Sequence, residues 1–271
     1  MAHLRHRYIQ PLLKKGLQFK SLVGVFGHRQ VGKTTILENL TGLYTTLDLS
    51  RELLRAEANP EAFLEELSRN HSQWPIAIDE CQMSPALFPA LKEFVRMHKK
   101  PGAFLLSGSV RFSSRKAIRE SLTGRLLAYE LLPFSISEIM QKPLNTLAKD
   151  LMTADFRSFE FTNNKTIVGF QSNKEAQKYL ANGGLRGLVF VRSDRDRFDL
   201  FDSQINLILD RDLRLVCEVR LPLSRLLNFV KILAENQNQP LNLTLLKKKT
   251  GISEATIKKI LSGLESIFFI R

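Results

Sequence analysis

The chain has 271 residues, of which 44% are apolar and 25% are charged, so it is long enough for one large domain or two ordinary ones of globular composition. It contains no run of about 18 apolar residues, so no membrane-spanning helix is predicted. The N-terminus is basic but lacks the apolar core of a signal peptide, and we therefore expect a cytoplasmic protein. The two cysteines, Cys81 and Cys217, cannot build a disulfide framework, and their apolar contexts are typical of buried residues.

The net charge of +13 is the strongest compositional signal. It favours contact with a polyanion, which could be a nucleic acid, a nucleotide or an acidic protein. Dispersed lysines also form ordinary solvated surfaces, so charge by itself does not choose among these readings.

A glycine-rich loop carries the most specific motif. Residues 27–34 read G-x-x-x-x-G-K-T, after an apolar run at 22–26 and before a helical run at 35–40. Strand, loop and helix in that order are the setting of a phosphate-binding P-loop, whose backbone N–H groups and helix N-terminus hold phosphates. We expect Lys33 to reach the β- and γ-phosphates and the Thr34 hydroxyl to ligate Mg²⁺. The expected ATP-binding residues are Gly27, His28, Arg29, Gln30, Val31, Gly32, Lys33, Thr34 and Thr35.

Two acidic residues end the next buried strand. The run at 74–78 is apolar and leads directly into Asp79 and Glu80. We expect Asp79 to hold Mg²⁺, usually through water, and Glu80 to polarise the attacking water as general base. Two adjacent buried carboxylates are costly unless a cation or hydrogen bonds offset them. The alternative is a surface Asp-Glu pair at a strand end, which the P-loop upstream makes the weaker explanation.

Two further positions extend this prediction. An apolar strand at 103–106 leads into Ser107, our first choice for a residue that senses the γ-phosphate, with Ser109 second; serines are also common in turns. Arg125 follows a Ser-Leu-Thr-Gly segment and opens the next strand. It could stabilise transition-state charge, in cis or for a neighbouring subunit, or it could form a structural ion pair.

The alternation of strands and helices over residues 22–132 predicts an α/β fold with a parallel sheet, and a further strand at 43–49 carries Asp48 near its end. Ligands of such sheets bind at the carboxyl ends of the strands. We divide the chain into a P-loop NTPase domain at 1–145, a mostly helical linker or lid at 146–220, and a winged helix-turn-helix domain at 221–271 that is cut short.

The last part predicts a helix-turn-helix. A helix at 223–233 follows Pro222, and a short helix at 244–250 ends at Gly251. Ser253 then caps a second helix that buries Ile257 and Ile260. Four lysines on this unit could contact DNA phosphates, although a lid or a protein-docking surface explains them slightly better: Lys247, Lys248, Lys258 and Lys259.

These motifs, taken in order, resemble a prokaryotic AAA-type (ASCE) P-loop ATPase family that carries a winged helix after the ATPase domain. Besides the P-loop and Ile78-Asp79-Glu80-x-Gln82, the resemblance rests on Leu47-Asp48, Leu106-Ser107-Gly108-Ser109, Ser121-Leu122-Thr123-Gly124-Arg125, Leu132-Pro133-Phe134-Ser135 with Glu138, Asn182-Gly183-Gly184, Asp210-Arg211-Asp212 and the 256–265 segment. It implies an ATPase in which Ser107 and Arg125 matter for sensing the nucleotide, and a further C-terminal domain in longer members. The chain departs from the pattern at Arg186, where members usually carry proline, and at His28.

The leading hypothesis is therefore an enzyme that hydrolyses ATP with Mg²⁺, its nucleotide state repositioning the winged-helix region. The alternative is a nucleic-acid-binding regulator in which ATP tunes DNA affinity. A small-molecule kinase would need an acceptor pocket and a lid with arginines, which the sequence does not indicate. Possible partners are ATP, DNA through the winged helix, a protein, or a second copy of the chain, but not a membrane.

Overall fold

A computed structural model describes residues 5–69, 74–111, 122–144 and 173–271. Within these ranges the chain builds one parallel sheet from five short strands. The strands are β1 (Leu22–Phe26), β2 (Leu43–Thr46), β3 (Ile76–Asp79), β4 (Phe104–Gly108) and β5 (Leu126–Glu130).

The strands lie in the order β2-β3-β4-β1-β5, and every neighbouring pair is parallel. Val25 of β1 lies opposite Ser107 of β4, and Thr46 of β2 lies opposite Asp79 of β3. The carboxyl ends of β1, β3 and β4 therefore meet at one edge. The predicted α/β parallel-sheet fold is confirmed, and the edge is the one at which the sequence analysis expects the ligand.

Helices connect and cover these strands. In the first half they are α1 (Gln10–Phe19), α2 (Lys33–Leu40), α3 (Ser50–Ala58), α4 (Pro60–Arg69), α5 (Leu87–His98) and α6 (Ile136–Ile139), with a 3-10 turn at Cys81–Met83. β1, β3 and β4 are buried along their whole length, as the continuous apolar runs of a strand covered on both faces require.

In the described part of the second half, all regular elements are helical. Its elements are α7 (Asn173–Asn182), α8 (Asp194–Leu207), a π-helical turn (Ile208–Asp212), α9 (Leu213–Val216), α10 (Leu223–Glu235), α11 (Leu243–Thr250) and α12 (Glu254–Ser266). Buried apolar residues of the π-helical turn, α9, α10, α11 and α12 form a second core around Phe229 and Leu264, separate from the two clusters on the faces of the sheet.

The helix-turn-helix geometry follows from local signals. Gly251 takes a left-handed conformation with φ 64° and ends α11, while the Ser253 hydroxyl accepts the Thr256 N–H at 3.2 Å and begins α12. The described residues after Glu130 contain no strand, so the wing of the predicted winged helix stays a prediction. The predicted boundary at 145/146 lies outside the described residues.

Two details differ from the sequence prediction. β2 ends at Thr46 rather than at residue 49, because the chain turns at 47–49 and Leu49 N–H bonds back to the Thr46 carbonyl. Asp48 is consequently exposed beyond the strand.

Across the described ranges, no helix is both long and apolar enough to cross a membrane.

Candidate functional site

The glycine-rich loop connects β1 to α2 at the carboxyl edge of the sheet. Gly32 immediately precedes α2 with φ 101°, a left-handed conformation that favours glycine. This conformation directs the loop into the first turn of α2, whose unpaired N–H groups favour anions.

Gly27, at the other end of the loop, is closely packed. A Cβ built on it would lie 2.3 Å from the Leu131 carbonyl oxygen, which is in the segment that leaves β5. No side chain fits at that distance, so packing alone requires glycine at the first position of the loop.

Lys33 lies buried beneath the loop, with 5% of the residue exposed. Its Nζ donates to the carbonyl oxygens of Gly27 at 3.1 Å and His28 at 3.2 Å. Burial lowers the pKa of the Lys33 ammonium, while the carboxylates of Glu80 and Asp79 act in the opposite direction. The ammonium is thus held inside the loop by neutral acceptors, where an anion would be a stronger partner.

Asp79 is the most enclosed acidic group of the site, with 2% of the residue exposed. One carboxylate oxygen accepts the Thr34 hydroxyl at 2.6 Å and the Tyr44 hydroxyl at 2.9 Å. The other accepts the Ser107 hydroxyl and the Glu80 N–H, the latter at 3.0 Å. Four donors therefore stabilise the carboxylate, and Ser107 contacts Asp79 directly.

Tyr44 was not predicted as a site residue. It belongs to β2, which lies beside β3, so its ring crosses the edge to reach Asp79. Burial and the Asp79 charge raise the pKa of the Tyr44 phenol well above its ordinary value, so it stays protonated as a donor. The sequence offers no signal for this contact, because it depends on which strand neighbours β3.

Glu80 follows β3 with φ 53°, a left-handed conformation that turns its side chain away from the strand direction. Its Oε2 accepts the Gln82 amide at 2.5 Å and the Ser109 hydroxyl at 3.1 Å, and the Gln82 amide also bonds Ser109 at 3.1 Å. Ser107 thus contacts Asp79, whereas Ser109 contacts Glu80. Gln82, quoted above only as part of a motif, positions Glu80.

A cavity of about 550 Å³ opens beside these groups, within the size range of small-molecule sites. Its lining contains more basic than acidic side chains, which suits a polyphosphate. The lining residues are Arg29, Gln30, Gly32, Lys33, Thr34, Thr35, Glu80, Arg186, Gly187 and Phe190.

The tip of the loop lies under the C-terminal helices. Arg29 forms a two-pronged ion pair with Asp212 of the π-helical turn, at 3.0 and 3.4 Å. The His28 ring lies 6.2 Å from that of Phe269, centroid to centroid. Burial lowers the pKa of the His28 imidazole, against a hydrogen bond to the Arg29 carbonyl that raises it. These two residues, expected to cradle phosphate, have side chains that contact the second half of the chain.

Arg7 supports the loop from the N-terminal side and was also missed. It is 5% exposed and pairs with Glu138 at 3.1 Å, while its guanidinium donates to the carbonyl oxygens of Val31 at 2.8 Å and Leu132 at 2.5 Å. It lies 4.3 Å from the centroid of the Phe134 ring. The Leu-Pro-Phe-Ser motif therefore serves as a docking surface for this arginine.

Arg125 lies at the wrong edge of the sheet for a role in cis, which corrects one prediction. β5 begins at Leu126 opposite Leu22, the first residue of β1, whereas the P-loop follows the last residue, Phe26. A five-residue strand spans about 16 Å, and Arg125 is exposed at its far end. A contact with a neighbouring subunit stays a prediction.

Arg186, the position where the chain departs from the resembling family, reaches the cavity. Its guanidinium donates to the Thr35 hydroxyl on the first turn of α2. Gly184, two residues earlier, would place a Cβ 2.2 Å from the Phe134 carbonyl oxygen, so this segment packs closely against the chain that follows β5.

The predicted DNA-contacting lysines are exposed on α11 and α12. Lys258 pairs with Glu254 at 2.8 Å, one helical turn away. Lys258 and Lys259 also line a second cavity of about 640 Å³ between α9 and α12, far in sequence from the P-loop.

Comparison with known proteins agrees with this geometry. The model of an AAA domain matches residues 20–140, and that of a domain of unknown function (DUF8612) matches residues 173–271. Two uncharacterized proteins, Rv2008c of Mycobacterium tuberculosis and Mb2031c of Mycobacterium bovis, are each 26% identical over 96% of this chain. The chain spans 51% of the length of these curated relatives.

Among solved structures, the chain is similar to the Walker-type ATPase PABY2304 of Pyrococcus abyssi. The match has a TM-score of 0.45 and 13% identity, over 97% of this chain and 90% of that one. The AAA match coincides with the segment that holds β1 to β5 and all the residues around Asp79. Residues 20–140 of the chain are therefore similar to an AAA domain.

Proposed function

We propose that this protein binds ATP with Mg²⁺ and hydrolyses it to ADP and phosphate. The observation that carries the proposal is the convergence of Lys33, Thr34, Asp79 and Glu80 at one end of the sheet, beside a cavity rich in basic groups. Two separate segments of the chain supply them, 33–34 and 79–80, so the arrangement is a property of the fold and not of one motif.

The residues suit Mg²⁺, which prefers oxygen ligands and keeps several waters. The Thr34 hydroxyl and the Asp79 carboxylate are already in contact at 2.6 Å, with Ser107 and Tyr44 fixing the carboxylate. When bound, the ion would neutralise charge on the β- and γ-phosphates. Lys33 then holds the phosphates, and Glu80 accepts a proton from the attacking water.

The finer proposal is that the nucleotide state moves the C-terminal helices. The P-loop reaches them through the Arg29–Asp212 pair. The segment after β4 reaches them through Arg111, whose N–H donates to the Ser266 carbonyl at 2.6 Å and whose side chain donates to the Glu265 carbonyl at 2.8 Å. Arg111 lies two residues after Ser109, so a shift at the γ-phosphate has a short path to α12.

Phosphate release by the wild type and by Glu80→Gln tests the hydrolysis. We expect turnover to fall at least 100-fold in the variant with nucleotide affinity retained, because the substitution removes the base but keeps the shape. Lys33→Ala is the matched binding variant and should lose affinity in a fluorescent-nucleotide titration. Normal turnover by Glu80→Gln, or unchanged affinity of Lys33→Ala, would contradict these roles.

Hydrogen exchange tests the switch. Amides of 208–216 and 254–268 should exchange at different rates in Glu80→Gln held with ATP and in wild type held with ADP. Identical exchange in both states would leave an ATPase without this switch.

DNA binding is the second candidate, because five exposed lysines lie on the helix-turn-helix: 247–249 on α11, and 258 and 259 on α12. It predicts DNA affinity that falls steeply with salt, with the slope reduced by about one for each phosphate-contacting lysine removed. Lys259→Gln is the first variant to measure. No binding at low salt would instead favour a protein partner for this surface or a second copy of the chain.

A further inference from the structure

The side chain of Arg186 lies over the turn that joins the P-loop to α2. Its guanidinium donates to the Thr35 hydroxyl, and its Cδ lies 3.4 Å from the place where a Cβ on Gly32 would be. It therefore lies beside the backbone of 32–35, whose N–H groups cradle the α- and β-phosphates in a P-loop.

The charge of Arg186 has no acidic partner in the described part of the chain: no carboxylate there forms an ion pair with it. Its basic neighbour Arg7 is the contrasting case, since Glu138 and two backbone carbonyl groups occupy that guanidinium. A guanidinium has five N–H donors in a planar fork that matches phosphate, and Arg186 commits one of them to Thr35.

We propose that Arg186 is a phosphate-binding residue of this site, contacting the α- and β-phosphates of the nucleotide in cis. The inference rests on the proposed nucleotide binding and adds a residue that the sequence analysis left outside the site. It assigns Arg186 to the phosphates and not to the base. In the resembling family this position usually carries proline.

Competition binding with ADP and with inorganic pyrophosphate, in buffer with EDTA, separates these possibilities. Arg186→Gln should weaken both ligands by a similar factor, about 10- to 30-fold, because one charge-assisted contact to phosphate is lost. Arg186→Lys should recover part of the affinity for both. Arg192→Gln, an exposed charge on the same segment that does not line the cavity, is the matched control and should change neither.

Three results would overturn the proposal. Weaker binding of ADP with unchanged binding of pyrophosphate would assign Arg186 to the base or ribose. A loss confined to a non-hydrolysable ATP analogue, with ADP unchanged, would assign it to the γ-phosphate. Unchanged affinity for all three ligands would make the Thr35 contact structural only. If the wild type itself bound none of them, the proposed function would fail, which is a different outcome.

Discussion

The carboxyl edge of the sheet buries charged side chains, whereas the C-terminal helices α10–α12 keep theirs on the surface. At the sheet edge, Lys33 and Asp79 are almost fully buried. In the α10–α12 unit the core is apolar, and Ser266 is the one buried polar residue among 222–271. All six lysines of that unit are exposed.

The two regions are therefore stabilised in different ways. Burying a charge costs free energy unless hydrogen bonds offset the loss of water. Loop carbonyls offset this cost for Lys33, and four hydrogen-bond donors offset it for Asp79. The helices gain stability by removing apolar surface from water. We therefore expect substitutions at the sheet edge to damage ligand binding more than folding, and substitutions in the helical core to do the reverse.

The largest effect should come from the helical core. Phe229 is fully buried in α10, and Phe229→Ala should lower the free energy of unfolding by about 3–5 kcal/mol, measured by urea denaturation. Leu227→Ala, on the exposed side of the same helix, is the control and should cost under about 1 kcal/mol. An equal cost for both would mean that α10 is not packed as described.

Lys33→Met should give the reverse pattern. It keeps the side-chain stem but removes a buried charge whose pKa is lowered by burial, so the nucleotide-free protein should be no less stable in urea. Nucleotide affinity should fall about 100-fold, as expected for loss of the main phosphate contact. A large loss of stability would show that the ammonium supports the fold and would break the comparison.

The Arg29–Asp212 ion pair, which joins the two regions, should show an intermediate effect. A double-mutant cycle of Arg29→Gln and Asp212→Asn should give a coupling energy of about 1 kcal/mol, since the pair is half-buried. The coupling should differ between ATP and ADP if this contact transmits the nucleotide state. A coupling near zero in both states would exclude the pair from the switch.

The smallest effect is a pH dependence at His28. Burial lowers its pKa, so below about pH 6.5 the unfolded chain binds the proton more readily than the folded one, and stability falls as pH falls. His28→Asn should flatten this part of the stability curve by less than about 1 kcal/mol between pH 7 and 5. Identical curves for wild type and variant would contradict the assigned pKa direction.

The parts of the site that are local in sequence were predictable. The P-loop, the Asp79–Glu80 pair and Ser107 each follow an apolar strand, and parallel strands bring their ends together. Tyr44 and Arg7 were not predictable, because each reaches the site across a tertiary contact that no local pattern specifies. Asp212 belongs to a quoted motif, but its contact with Arg29 also depends on tertiary packing. The signal for Gln82 was present in its motif, but its contact with Glu80 depends on the turn at residue 80.

The misplacement of Arg125 has a similar cause. An arginine at a strand boundary can be recognised from sequence, but whether it lies at the beginning or the end of the strand relative to the P-loop depends on register. Because β5 runs parallel to β1, the beginning of β5 lies at the amino edge. The helix-turn-helix was predictable because its caps, Gly251 and Ser253, are local.

The close approach of Gly27 to the Leu131 carbonyl has a consequence for reading variation at this loop. A library screened only for correctly folded protein, with no demand for ATP, should still reject every substitution at Gly27. Lys33, in contrast, should vary freely in such a screen and become invariant only when catalysis is selected. Retention of glycine at position 27 in a divergent chain is thus evidence of the fold alone, whereas retention of lysine at position 33 supports the proposed binding of nucleotide.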